Sequence, residues 1–149
     1  LYGYEYTILR YGNVYGPRQN PSGEAGVISI FAGLLLNGET AKIFGDGNQE
    51  RDYIYISDVV DANILALNST NKSIYNISTG QGLSVIEIFN QIKKITKSSN
   101  NPIFMPSRKS DVNKIILDNT KAINELKWKP KITIENGISN TINYLLETL

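Results

Sequence analysis

Short runs of β-branched and aromatic residues alternate along this sequence with stretches whose apolar residues recur at helical spacing. A chain patterned this way specifies a mixed α/β fold of short strands and helices. Residues 6–11 (YTILRY) read as a strand, and Gly12, Gly16 and Pro17 turn it into a loop that runs to about Gly26. Val27, Ile28, Ile30, Phe31, Leu34 and Leu35 then form one helical stripe that Gly38 stops. Residues 41–44 and 51–56 are strand-like and separated by Gly45, Asp46 and Gly47, the pattern of a hairpin or of two nearby strands joined by a turn. Ser57 is placed to cap a helix over 58–68, with Asp58 and Asp61 in its first turn. After a strand at 74–77, Ser84-Val85-Ile86-Glu87 is a capping box, and Ile88, Phe89, Ile92 and Ile95 are the stripe of the helix it opens. Pro102 and Pro106 bracket a strand at 103–105, and 115–117 is strand-like. Asp118 is placed to cap 119–126, and Thr133 to cap a last helix over 134–146. No repeat, low-complexity tract or linker interrupts the pattern, so residues 1–149 read as one domain.

Composition narrows the chemistry. With 41% hydrophobic residues among 149, there is enough apolar material for a buried core. Fifteen Lys and Arg against 14 Asp and Glu leave a net charge of +1, which gives no electrostatic reason to expect nucleic acid or an acidic membrane as partner. The sequence has no Cys and no His, so thiol nucleophiles, imidazole bases and the usual zinc sites are excluded, and no metal is expected. The longest apolar stretch, 27–36, is broken by Ser29 and Gly33 and is far shorter than the roughly 20 residues that span a bilayer. A cysteine-free chain without a signal-like segment fits the cytoplasm. The chain opens on Leu1 rather than Met, close to its first strand, as a portion of a longer protein would.

Three clusters can carry a site. Leu9 to Gln19 takes a strand end into a Gly- and Pro-containing turn, with Asn13 set between aromatics at the position where α/β sheets bind ligands. Ile43 to Ile56 holds Phe44, the Gly45-Asp46-Gly47 turn and Arg51. Arg51 opens a strand whose expected partner ends in Ile43 and Phe44, which sets a guanidinium and a flat apolar wall on neighbouring strands, an arrangement suited to a base and a phosphate. Arg108-Lys109-Ser110-Asp111 is a charged loop that can supply a second cation and a ribose acceptor. Each also has a plainer reading, as a strand-to-loop turn, a glycine hairpin and a solvated charged loop. Tyr2, Tyr4, Tyr6, Trp128 and Tyr144 read as packing or surface residues.

In this order and spacing the clusters, with Asp118, Lys121 and Trp128-Lys129-Pro130, resemble the C-terminal, substrate-binding part of the extended short-chain dehydrogenase/reductases, the sugar-nucleotide epimerases and dehydratases. Within that family the likeness is greatest to the UDP-glucose 4-epimerase branch, with nucleotide-sugar dehydratases or decarboxylases as the alternative and a non-catalytic nucleotide-binding module as a third reading. The resemblance implies a UDP-sugar ligand. Asn13 would contact its diphosphate, Gly26 and Val27 would line the nucleotide, and Lys42, Ile43 and Phe44 would hold uracil. Arg51 and Arg108 would bind phosphates, Asp111 the ribose, and the backbone at Gly12 would abut the nicotinamide of NAD. It also implies that strand 6–11 belongs to a Rossmann sheet whose N-terminal half is otherwise missing here, and that the intact enzyme is a homodimer. None of the nine tyrosines is followed four positions later by Lys, and no Gly-x-x-Gly-x-x-Gly occurs. The family's reacting pair and phosphate turn are therefore not in this sequence, no catalytic residue is assigned, and this portion alone is expected to be inactive.

Overall fold

The computed structural model describes residues 4–21, 26–69, 72–109 and 111–148. Tyr2, Ser110 and the stretch 22–25 of the long loop lie outside the described residues. The elements run β1 (Thr7–Tyr11), β2 (Asn13–Tyr15), α1 (Val27–Leu36), β3 (Lys42–Phe44), β4 (Glu50–Arg51), β5 (Tyr53–Tyr55), α2 (Ile56–Leu67), β6 (Ser73–Ile77), β7 (Leu83–Ser84), α3 (Val85–Thr96), β8 (Ile103–Met105), β9 (Lys114–Ile115), α4 (Thr120–Glu125) and α5 (Ile134–Thr148). Three strand pairs are parallel, β1 with β6, β2 with β5 and β3 with β8. In the remaining sheet β4 lies between antiparallel β7 and parallel β9.

Two apolar clusters hold these elements together. In the first, α1, α3 and α5 pack on one another and on Tyr15, Ile43, Tyr53 and Tyr55, with Phe31 and Phe89 edge to face at 5.7 Å between ring centroids. The α3 stripe read from the sequence is its centre. Ile88, Phe89 and Ile92 are fully enclosed, each contributing about 1.5–3 kcal/mol of burial. The second cluster joins β6 and α2 through Tyr75, Ile77, Ile54 and Val59 to Trp128. The Trp128 indole N–H donates to the Asp58 carbonyl at 2.9 Å, and the Asp58 carboxylate accepts the Ile132 N–H at 3.1 Å. The Trp128-Lys129-Pro130 segment is thereby fixed to the first turn of α2.

Two of the capping signals are realised. The Ser84 and Glu87 capping box is fully formed, the Ser84 N–H donating to Glu87 Oε2 at 2.7 Å and the Glu87 N–H to Ser84 Oγ at 3.3 Å. Thr133 accepts the Asn136 N–H at the start of α5. Three expectations need correction. Residues 41–44 and 51–56 are not hairpin partners. Gly45 and Gly47 both have φ near +75 to +80°, Asp46 accepts two bonds from Asn48, and this turn carries the chain away from β3. β4 then pairs with β7, and the stretch divides after Arg51 into β4 and β5. Ser57 does not cap α2, whose N-cap is Tyr55, because β5 runs into the helix without a loop. Asp118 lies one residue before the N-cap of α4, Asn119, and accepts the Thr120 N–H at 2.9 Å from outside the helix. The loop after Gly12 also contains β2, held by a partner about 40 residues further on. Among the described residues no helix is long and apolar enough to cross a membrane.

Candidate functional site

The start of α1, β2, β3, β4 and the loop after β8 enclose a cavity of about 630 Å³. Asn13, Gly26, Val27, Lys42, Ile43, Phe44, Arg51, Arg108 and Asp111 all line it. The three clusters thus converge on one place, although Arg51 and Phe44 meet there through the tertiary fold and not as strand neighbours. Among the described residues that line it, Lys42, Arg51 and Arg108 face Glu39 and Asp111, an excess of one positive charge.

Arg51 is held from behind. Its Nη1 donates to the Glu50 carbonyl at 2.8 Å and to the Val112 carbonyl at 2.7 Å, using two of its five donors and fixing the plane of the fork. Arg108 lies over the Phe44 ring at 3.9 Å from its centroid, a cation–π contact at the mouth of the cavity. Asn13 is positioned through its backbone, its N–H donating to the Asp52 carbonyl at 2.6 Å. Asp52 is 1% exposed, and its carboxylate accepts the Thr79 N–H at 2.8 Å, the Thr79 hydroxyl at 2.7 Å and the Gly80 N–H at 3.0 Å. Gly12 is not part of the lining. A Cβ there would stand 2.7 Å from the Asp52 carbonyl oxygen, so the close crossing of these two backbones requires glycine.

The backbone of β3 supplies the site with a reading edge. Ala41 accepts from Ile103 and Gly45 donates to Met105, so odd-numbered residues carry the ladder to β8. The N–H and C=O groups of Lys42 and Phe44 consequently point to the other edge, which no strand among the described residues covers. Tyr53, Gln49, Glu39 and Thr40 also line the cavity and were not singled out by the sequence. The Tyr53 hydroxyl is buried with no hydrogen-bond partner among the described residues, and desolvation pushes it up to about 12. The only signal for Tyr53 was its place two residues after Arg51.

The sequence profile described as the NAD dependent epimerase/dehydratase family matches residues 1–78. The chain belongs to this epimerase/dehydratase family. Among solved members, a UDP-glucose 4-epimerase of Thermotoga maritima determined with UDP-glucose is 50% identical and superposes with a TM-score of 0.97, covering 99% of this chain and 48% of that one. The UDP-glucose 4-epimerase of Mycolicibacterium smegmatis is 40% identical over 145 residues, 97% of this chain and 46% of its own length. A UDP-N-acetyl-alpha-D-glucosaminuronate decarboxylase of Bacillus cytotoxicus is 33% identical over 154 residues, 99% of this chain and 48% of its own. The chain therefore spans about half the length of these family members, and its α/β fold is a partial fold of the short-chain dehydrogenase/reductase type.

Proposed function

We propose that residues 1–149 form the nucleotide-sugar-binding portion of an NAD-dependent 4-epimerase that interconverts UDP-glucose and UDP-galactose. The observation that carries this reading is the convergence of both arginines, Asn13 and the free β3 edge on one cavity with a positive lining. A diphosphate fits the fork of Arg51, Arg108 and the Asn13 amide. The base fits the Lys42 and Phe44 backbone beside the Ile43 and Phe44 side chains, and Asp111 is placed to accept from ribose hydroxyls. Gly26 and Val27 close the cavity at the start of α1. Such a site anchors the nucleotide and leaves the hexose free to turn over.

NAD would supply reversible hydride acceptance at the sugar. Gly12 would face it without offering its N–H, which is already donated to the Ile77 carbonyl at 3.0 Å. With neither Tyr-x-x-x-Lys nor the glycine turn, residues 1–149 by themselves hold no NAD tightly and turn over no sugar nucleotide. In this reading β1 continues into a Rossmann sheet, the intact enzyme is a cytoplasmic homodimer, and nucleic acid and membrane play no part. The Bacillus relative favours a second reading, a nucleotide-sugar decarboxylase with the same anchoring site.

Product chromatography separates them. The full-length protein with NAD and UDP-galactose should yield UDP-glucose. A UDP-pentose formed from UDP-glucuronate, with UDP-galactose untouched, would establish the second reading, and absence of UDP binding would overturn both.

A further inference from the structure

Gln49 stands two residues before Arg51 in the lining of the cavity, and its Nε2 donates to the Phe44 carbonyl at 2.7 Å. The amide cannot be reversed, since that would set two acceptor oxygens against each other at the same distance. Its Oε1 is buried and has no partner among the described residues. Gln49 itself is fixed from the other side, where its carbonyl accepts the Val85 N–H at 3.3 Å at the start of α3. The side chain is therefore a stationary cap on one backbone oxygen of the β3 edge.

That cap determines what the edge can read. Uncapped, the edge would present in order Lys42 N–H, Lys42 C=O, Phe44 N–H and Phe44 C=O, donor and acceptor alternating. With the last acceptor taken, it presents an acceptor flanked by donors. The imide edge of uracil or thymine, an N–H flanked by carbonyl oxygens, is the complement of this pattern. Cytosine in the same pose would set its N3 lone pair against the Lys42 carbonyl and its amino group against the Phe44 N–H. Sliding one group along the edge would give the amino hydrogen to the Phe44 carbonyl and let N3 accept from the Phe44 N–H, two bonds gained against one contact of O2 with the Lys42 carbonyl. Gln49 opposes that alternative by holding one of the two acceptor positions of the Phe44 oxygen and the space beside it.

We infer that Gln49 is a specificity-determining positioning residue, which makes the site select an imide pyrimidine over an amino pyrimidine by occupying the Phe44 carbonyl. This rests on the nucleotide-binding reading above and deepens it. Selection of this kind comes from unpaired groups in the wrong complex more than from extra bonds in the right one.

The experiment is calorimetric titration of UDP and CDP into the full chain, wild type and variants. Gln49→Met keeps the volume and removes the donor, and it should lower the UDP-to-CDP affinity ratio at least tenfold, chiefly by strengthening CDP. Gln49→Leu removes the donor without setting an acceptor against the Phe44 carbonyl. It serves if the Met variant fails to fold, with the same expected loss of ratio. Arg51→Ala is the control and should weaken both without changing the ratio, as any general loosening of the site would. A wild-type chain selective for UDP whose Gln49 variants keep the ratio would overturn the role of Gln49 and leave the nucleotide reading intact. Absence of UDP binding to the wild type would overturn both.

Discussion

Arg51 and Arg108 illustrate how the same side chain does different work in different settings. The first is pinned by two carbonyls and presents a fixed fork, while the second rests on an aromatic ring above the cavity. Hydrogen bonds to charged groups contribute roughly 1.5–3 kcal/mol each, so Arg51→Ala or Arg108→Ala should raise the Kd for UDP by about 10-fold to 150-fold. Lys at either position should recover only part of this, because an ammonium lacks the planar fork. Calorimetry at fixed ionic strength measures the effect, and wild-type affinity in both alanine variants would remove the clamp. Tyr53 makes a different prediction. Its hydroxyl is buried without a hydrogen-bond partner among the described residues, so Tyr53→Phe should leave stability at neutral pH unchanged or raise it. Burial holds its proton from the ordinary 10 up to about 12, so the folded state binds the proton more tightly than the unfolded state. That contribution is complete below pH 10 and is lost as pH rises through about 12. Tyr15, shifted upward by the same desolvation, acts in the same direction. Urea denaturation at neutral and strongly alkaline pH should therefore show a shallower alkaline decline for Tyr53→Phe than for the wild type. An identical decline would mean that the hydroxyl is hydrated in solution.

Among the elements, α3 is both the most legible and the most central. Its cap and its stripe lie within a dozen residues, so the sequence contains every partner that decides where it starts. Ser84→Ala should cost about 1 kcal/mol, read as a lowered urea midpoint at unchanged slope. Hydrogen bonds from the Ser84 side chain and backbone hold the Glu87 carboxyl below the usual carboxylate range. A group lowered in this way stabilises the fold above the unfolded glutamate value of about 4.3, and the contribution disappears as pH falls through the depressed one. Acidification should accordingly destabilise the wild type more than Glu87→Gln, and equal acid sensitivity would count against the box. The short strands are the opposite case. β2 has three residues, among them Asn13, and resembles a turn until β5 pairs with it. The Asp-Gly of the β3–β4 turn resembles a hairpin until Met105 extends the ladder of β3 on the far side.

At the scale of the molecule, the unfinished surface is the pair β1 and β6. Among the described residues this two-stranded parallel sheet has no further strand on either edge, and Tyr6, Ile8 and Ile74 are exposed. Between β1 and α2 lies a concavity of about 600 Å³ lined in part by Tyr6, Leu9, Tyr11 and Leu67, the last 85% exposed. Parallel sheets are ordinarily covered on both faces, and an open edge pairs with whatever strand is offered. Residues 1–149 expressed alone should therefore self-associate, and sedimentation equilibrium that stays strictly monomeric at high concentration would refute this.

The sequence by itself determined the α/β alternation, the helices with the caps at Ser84 and Thr133, and the exclusion of thiol and imidazole chemistry, because each rests on periodicity, composition or a motif read along the chain; the nine residues proposed for the site came from the family resemblance, and the structure brings them to one cavity. Only the tertiary structure decided which strands pair, that Arg51 meets Phe44 across a cavity and not along a hairpin, and that Asp52 ties Asn13 to Thr79 and Gly80. It alone decided that Gln49 caps the Phe44 carbonyl. These are contacts whose geometry is set by strand pairing, turns and buried side chains, and strand pairs such as β2 with β5 join residues dozens of positions apart, where no local pattern fixes the partner.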